Sequence, residues 1–188
     1  NIKEEPPLPY QRHVIPFQGI VSTNEGTTFT QDTLRWSIPQ GEYSFIFYTG
    51  EYTVENLDNY HECKLSVRTD TVDGRAYIAE KQKYCCSAIF DQKLEYQKPK
   101  IVEIIPWNFV KKINIHLNVE GNINNITEIS GDLSGVCTSR YLYSRETSGS
   151  ANVNEPFVKT GANWQNCENS IYVFGMSPAD ANILKIHV

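Results

Sequence analysis

Residues 112–121, "KINIHLNVEG", alternate without exception: Ile113, Ile115, Leu117 and Val119 fall on one side, and Lys112, Asn114, His116, Asn118 and Glu120 on the other. A period of two held this long predicts a strand with one buried face and one wet face. "CKLSVRTD" repeats the device, with Cys63, Leu65 and Val67 inward against Lys64, Ser66, Arg68 and Asp70. "TLRWSI" turns Leu34, Trp36 and Ile38 to one side, and the terminal "NILKIHV" does the same with Leu184, Ile186 and Val188. Residues 37–50, "SIPQGEYSFIFYTG", follow another rule. After the Pro-Gln-Gly turn, Tyr43, Phe45 and Phe47 share one side and Ile46 and Tyr48 the other, so the strand is apolar on both faces. An uncovered second face would be an aggregation site, which predicts a cover: the N-terminal segment, the second half of the chain, or a partner subunit.

Less regular strands are predicted in "HVIPFQGIVS", "RAYIAEK", "KYCCSAIF", "IVEIIPW", "ISGDLSGVCTSRYLYS" and "SIYVFGM". No stretch holds a 3.6-residue period with good helix formers, which leaves little helix beyond a turn near "SPADAN". Short strands between polar turns predict an all-β sandwich or barrel. The segment "DQKLEYQKPKIVEI" separates about six strand candidates from about five, each set large enough for a small sandwich. The predicted division is a flexible tether over 1–11, a first sandwich over 12–98 and a second over 99–188, with the joint near Pro99. Residues 144–170, rich in Ser, Asn and Gly, predict an extended loop in the second unit.

Composition agrees with strands. Eleven Tyr, eight Phe and a single Met among 188 residues tilt usage away from helix. The net charge of −5 and the pI near 5.4 argue against a nucleic-acid partner, because phosphate binding needs a basic face and these lysines are dispersed. The short runs "VKKI" and "EKQK" read as the wet faces of strands. No run approaches the roughly 18 apolar residues of a membrane-spanning helix. The opening "NIKEEPPLPYQRH" reads as the start of a mature chain, too rich in Pro and Glu to build a core. Five cysteines, Cys63, Cys85, Cys86, Cys137 and Cys167, show no metal-ligand spacing, and an odd count leaves one thiol unpaired within the chain. A bridge from Cys63 to Cys85 or Cys86, a bridge from Cys137 to Cys167, and buried free thiols all remain open.

No catalytic arrangement stands out. His13, His61, His116 and His187 are scattered and read as solvated side chains rather than metal ligands. There is no Gly-rich phosphate loop, nucleophile elbow or HExxH pattern. "DTVDG", residues 70–74, lacks the remaining oxygens of a calcium loop and reads as a hairpin turn. The expectation is therefore no enzyme, no cofactor and no metal. One binding feature competes with a purely structural reading. Trp107, Tyr141, Tyr143 and Trp164 lie in or near predicted loops and could form a platform for stacked sugar, as in a carbohydrate-binding module, or pack at the rim of a core with their polar ends wet.

Taken in order, "IPQGEYSFIFYTG" and "CKLSV" resemble the first domain of the fimbrillin-like surface proteins of Bacteroidales, where a Pro-x-Gly-x-Tyr turn opens an aromatic strand. "KKINIHLNVEGNINNITEISGDLSGVCTSRYLY" is similar to the start of that group's second domain, and "SIYVFGM" with "NILKIHV" to its closing strands. The resemblance implies two tandem transthyretin-like (Greek-key) β-sandwich domains in a non-enzymatic, exported protein of the outer membrane. Its partners would be other fimbrial or surface subunits, with attachment through a lipid upstream of Asn1. Stalk subunits of the group lose an N-terminal segment after an Arg. Here Arg12 stands without a cleavage motif around it, which favours an accessory or anchor-type role over a polymerising stalk. "DTL" and "DTV" are similar to the O-glycosylation triplet of such bacteria, which makes Thr33 and Thr71 candidate sites. Strand addition at an open sheet edge is the expected mode of assembly, with Leu184, Ile186 and Val188 serving either inside the second domain or as a donor.

Overall fold

The computed structural model describes residues 13–19, 40–49, 52–57, 59, 61–80, 85–96, 98, 100–101 and 107–188. The strands are β1 (His13–Gly19), β2 (Gly41–Thr49), β3 (Thr53–Glu55), β4 (Lys64–Ser66), β5 (Thr69–Val72), β6 (Arg75–Ile78), β7 (Cys86–Leu94) and β8 (Trp107–Asn108), followed by β9 (Lys111–Asn118), β10 (Ser130–Val136), β11 (Ser139–Tyr141), β12 (Thr147–Ser148), β13 (Ala151–Pro156), β14 (Val158–Lys159), β15 (Asn166–Val173) and β16 (Leu184–His187). Among the described residues the single helical turn is a 3-10 turn at Ile123–Asn125, capped by Asn122, so the chain is all-β as its composition predicts. Residues 177–182, where a helical turn is predicted, form no helix and bend at 178–180 instead. There Asn182 Nδ2 donates to Ser177 O at 3.3 Å and the Ala179 amide donates to Ser177 Oγ at 3.3 Å, local bonds that compete with helix.

Four sheets carry the order β1-β2-β7-β8, β16-β10-β13-β6-β5, β12-β11-β4-β3 and β14-β15-β9. The expected joint at Pro99, the tether over 1–11, "TLRWSI" and most of "IVEIIPW" lie outside the described residues. Strands from both sides of that joint share sheets. Leu65 of β4 pairs with Arg140 of β11, Tyr77 of β6 with Asn152 of β13, and Ser87 of β7 with Trp107 of β8.

The local devices are readable. In β9 the exposure alternates strictly, with Ile113, Ile115 and Leu117 half-buried against exposed Lys112, Asn114 and His116. β5 and β6 form a tight hairpin, Val72 opposite Arg75, over Asp73 and Gly74 at φ of 49° and 74°. Two successive positive φ values define the turn whose twist matches paired strands, and Asp-Gly is a preferred sequence for it. Residues 144–170 are not the extended loop expected of them, because β12, β13, β14 and the start of β15 run through them. Ala151, Val153 and Phe157 are buried within this polar stretch and supply the inward positions.

The interior has three clusters. The largest draws Ile46, Cys63, Leu65 and Cys85 together with Phe109, Val110, Cys137, Leu142 and Phe174, all buried. Phe109 and Phe174 meet edge to face with ring centres 5.9 Å apart. Each such fully buried side chain contributes about 1.5–3 kcal/mol of apolar transfer. A second cluster joins Leu133, Val136, Val153, Ile171 and Val173, and a third joins Ile129, Phe157, Trp164 and Cys167.

β2 shows how its two apolar faces are used. Ile46 is fully buried in the largest cluster, with Tyr48 packed beside it. On the opposite face Tyr43 is buried, Phe45 and Phe47 are half-buried, and Phe45 stacks on Phe90 at 5.0 Å. The N-terminal segment expected as one cover, the tether over 1–11, lies outside the described residues.

Candidate functional site

The terminal strand β16 occupies one edge of the five-stranded sheet. It pairs antiparallel with β10, Ile186 opposite Gly131 and Leu184 opposite Leu133. All four of its residues are exposed, and Leu184, Ile186 and Val188 expose 37%, 39% and 76% of their surface. Gly131 makes room for this arrangement, since a Cβ there would meet Phe157 Cε2 at 3.0 Å and Leu184 Cδ1 at 3.3 Å. Beside the edge, an open groove of about 370 Å³ has a mixed lining that includes Arg75, Asp132, Ala151, Asn152, Ile183 and Lys185.

β16 is held to the body by more than its ladder. A bulge interrupts β10 between Leu133 and Val136, with Gly135 at φ of 76°. From that bulge the Ser134 amide donates to Ile183 O at 2.9 Å, and Ser134 Oγ donates to Ala181 O at 2.7 Å. The Ser177 amide donates to Gly135 O at 2.7 Å. The residues leading into β16 are thus fixed while the strand's outer side lies at the end of the sheet order.

The four aromatic residues of the expected platform do not converge. Trp164 is 7% exposed, belongs to the third cluster, and carries Lys159 Nζ at 4.8 Å over its ring. Trp107 packs at the border of the largest cluster, tilted against Phe109 at 5.1 Å. Tyr141, half-buried in β11, lies under Lys64 Nζ at 5.8 Å, and exposed Tyr143 meets His61 edge to face at 4.5 Å. Successive residues of a strand point to opposite faces, and Arg140 rather than Tyr141 reaches toward Trp107. Of the two glycosylation candidates, Thr71 is exposed in β5, and Thr33 lies outside the described residues.

Two residues absent from the sequence-based expectation gather on Trp107. The guanidinium of Arg145 stands 4.1 Å from the ring centre and that of Arg140 5.6 Å, with Arg140 also 4.9 Å over Phe109. Arg140 Nη1 donates to Phe109 O at 2.6 Å and its Nε to Arg145 O at 3.0 Å. Burial, with the like charge of Arg145 adding to it, pulls Arg140 below the usual guanidinium range. Nothing in the linear sequence signals this contact between residues far apart in the chain.

Cys63, Cys137 and Cys167 are buried free thiols, and Cys85 is buried with Cys63 and Cys137 in the largest cluster. Burial pushes Cys63 up to about 11 and raises Cys167, so both resist forming the reactive thiolate. Among the described residues no three His, Cys, Asp or Glu side chains are grouped to hold a metal ion, and no helix is long and apolar enough to cross a membrane.

No protein-family model and no curated protein matches this chain. A solved structure does. It is a "putative adhesin" from Bacteroides ovatus, superposed with a TM-score of 0.50 at 14% identity over 77% of this chain and 52% of that one. The likeness is one of fold, and this chain spans about half the length of the Bacteroides ovatus protein.

Proposed function

We propose that this chain is a non-enzymatic cell-surface protein of a Gram-negative bacterium, a structural or adhesive subunit of the fimbrial accessory or anchor type. Its body would consist of two transthyretin-like sandwich units, 12–98 and 99–188, tied together by the strand pairs that cross between them. It would be exported, held at the outer membrane through a lipid upstream of Asn1, and joined to other surface subunits by strand addition.

The observation that carries this reading is the β16 edge. It ends the sheet order with all four residues exposed and presents Leu184, Ile186 and, beyond it, Val188. An edge strand offers main-chain donors and acceptors to a further strand, and uncovered apolar side chains are what a partner's pockets would take. The fold shared with the Bacteroides ovatus protein, described as a "putative adhesin", supports the same class of role. Covering the exposed part of Leu184 and Ile186 gains about 1 kcal/mol each, so the main-chain bonds supply most of the affinity.

The test replaces Ile186 by Lys, a charge that blunts an edge at an exposed position of the strand. In cells that display the protein, Ile186→Lys is expected to leave the purified chain's melting temperature unchanged and to abolish its recovery in surface complexes. Undiminished recovery of the variant would refute strand addition at this edge.

A further inference from the structure

We propose that Arg140 and Arg145, stacked on Trp107, form a docking site for a carboxylate carried by an acidic segment of a partner protein. The inference deepens the reading of this chain as a subunit that joins others, and it rests on that reading.

Two cations share one indole, with Arg145 4.1 Å and Arg140 5.6 Å from its centre. Neither guanidinium forms an ion pair with a carboxylate among the described residues, although acidic residues outnumber basic ones across the chain by 22 to 17. A guanidinium has five N–H donors. Arg140 spends one on Phe109 O and one on Arg145 O, whereas exposed Arg145 donates none within the described residues. Like charges held together with unspent donors repel each other until an anion arrives between or beside them. Two hydrogen bonds hold half-buried Arg140, and exposed Arg145 rests over Trp107, a partial ordering that lowers the entropy lost when a carboxylate is gripped at two points.

The position favours a peptide over a sugar. A sugar ring stacks on an open aromatic face, and here guanidinium groups stand over Trp107 while Tyr141 and Tyr143 contact Lys64 and His61. Trp107 belongs to β8, which ends the order of its sheet and so lies at a place where an extended segment can align. Trp and Arg together are also the residue types that dominate protein-protein hot spots.

The experiment titrates the whole chain by calorimetry with a short synthetic peptide of alternating Glu and Val, with its Gln-for-Glu counterpart, and with an oligogalacturonate. The Glu peptide is expected to bind about tenfold more tightly than the Gln peptide. Added salt should shrink the difference, because the site is partly exposed. Arg145→Ala should erase the preference and Arg145→Lys should keep part of it. Both variants should stay folded and melt close to the parent, since Arg145 is exposed and its side chain donates no hydrogen bond among the described residues, so that Arg145→Ala loses only the contact with Trp107. Arg140→Ala is not the test of choice, because it also removes the bond to Phe109 O. Equal binding of the Glu and Gln peptides, or an unchanged preference in Arg145→Ala, would overturn the proposal. Tighter binding of the oligogalacturonate than of the Glu peptide would overturn it in favour of an acidic glycan. A failure here with Ile186→Lys still blocking surface complexes would remove this site and leave strand addition standing. Undiminished complexes in Ile186→Lys would count against strand addition alone.

Discussion

Glu55 shows how one side chain ties local structure to acid sensitivity. Its carboxylate accepts from Ser66 Oγ and faces Lys64 Nζ at 3.2 Å, and the Ser66 hydrogen bond is the chief cause that holds its pKa below the ordinary glutamate value. A group with a lower pKa folded than unfolded stabilises the fold above its unfolded value, and the contribution is lost as pH falls through the folded value. With 42% of the Glu55 side chain exposed, solvent screens the pair and the contribution is small. Ser66→Ala should move the Glu55 titration, followed by NMR, upward toward the ordinary range and lessen the loss of stability on acidification. A titration that stays in place would show that Lys64 alone sets it. At this scale the sequence was informative where neighbours decide and silent where distant ones do. The inward setting of Leu65 beside Cys63 follows from alternation. The placing of Arg145 on Trp107, and of Trp164 in a core, depends on how sheets meet.

At the scale of elements, the bulge in β10 decides where β16 lies. Gly135 has φ of 76°, and a Cβ there would collide with Asn182 Oδ1 and approach Ala181 O at 3.4 Å. The positive φ favours glycine, and a Cβ would also have to displace the Asn182 side chain. Gly135→Ala is expected to cost about 1–3 kcal/mol in denaturant unfolding and to loosen residues 181–187 first. Wild-type stability in that variant would contradict the role given to the bulge. β9 and the β5–β6 hairpin were legible because period-two alternation and an Asp-Gly turn are local rules. β13 was not, since its inward positions are Ala151 and Val153 set among Asn, Glu and Ser, and the small Ala weakens the apolar signal that separates strand from loop. β2 was half legible. Its two apolar faces were evident, and Ile46 marks the one that meets the largest cluster.

For the whole molecule, the largest cluster unites Ile46, Leu65 and Cys85 with Phe109, Leu142 and Phe174, and the Leu65–Arg140 and Tyr77–Asn152 pairs bind the two halves through their main chains. Strands interlocked in this way should unfold as one. A single cooperative thermal transition is expected, coincident by near-UV circular dichroism and tryptophan fluorescence. Two separated transitions would mean that the shared core contributes little. The all-β class was readable from composition and segment spacing, whereas the pairing of strands from before and after residue 99 was not, because pairing partners are set by burial across the whole chain. The central claim is that the outer side of β16 receives a partner strand. The most direct measurement is amide hydrogen exchange over residues 184–187, on the purified chain and on the chain recovered within its cell-surface complex. The account predicts that exchange in this strand slows markedly in the complex while β9 is unaffected. Equal exchange of β16 in both states would contradict it.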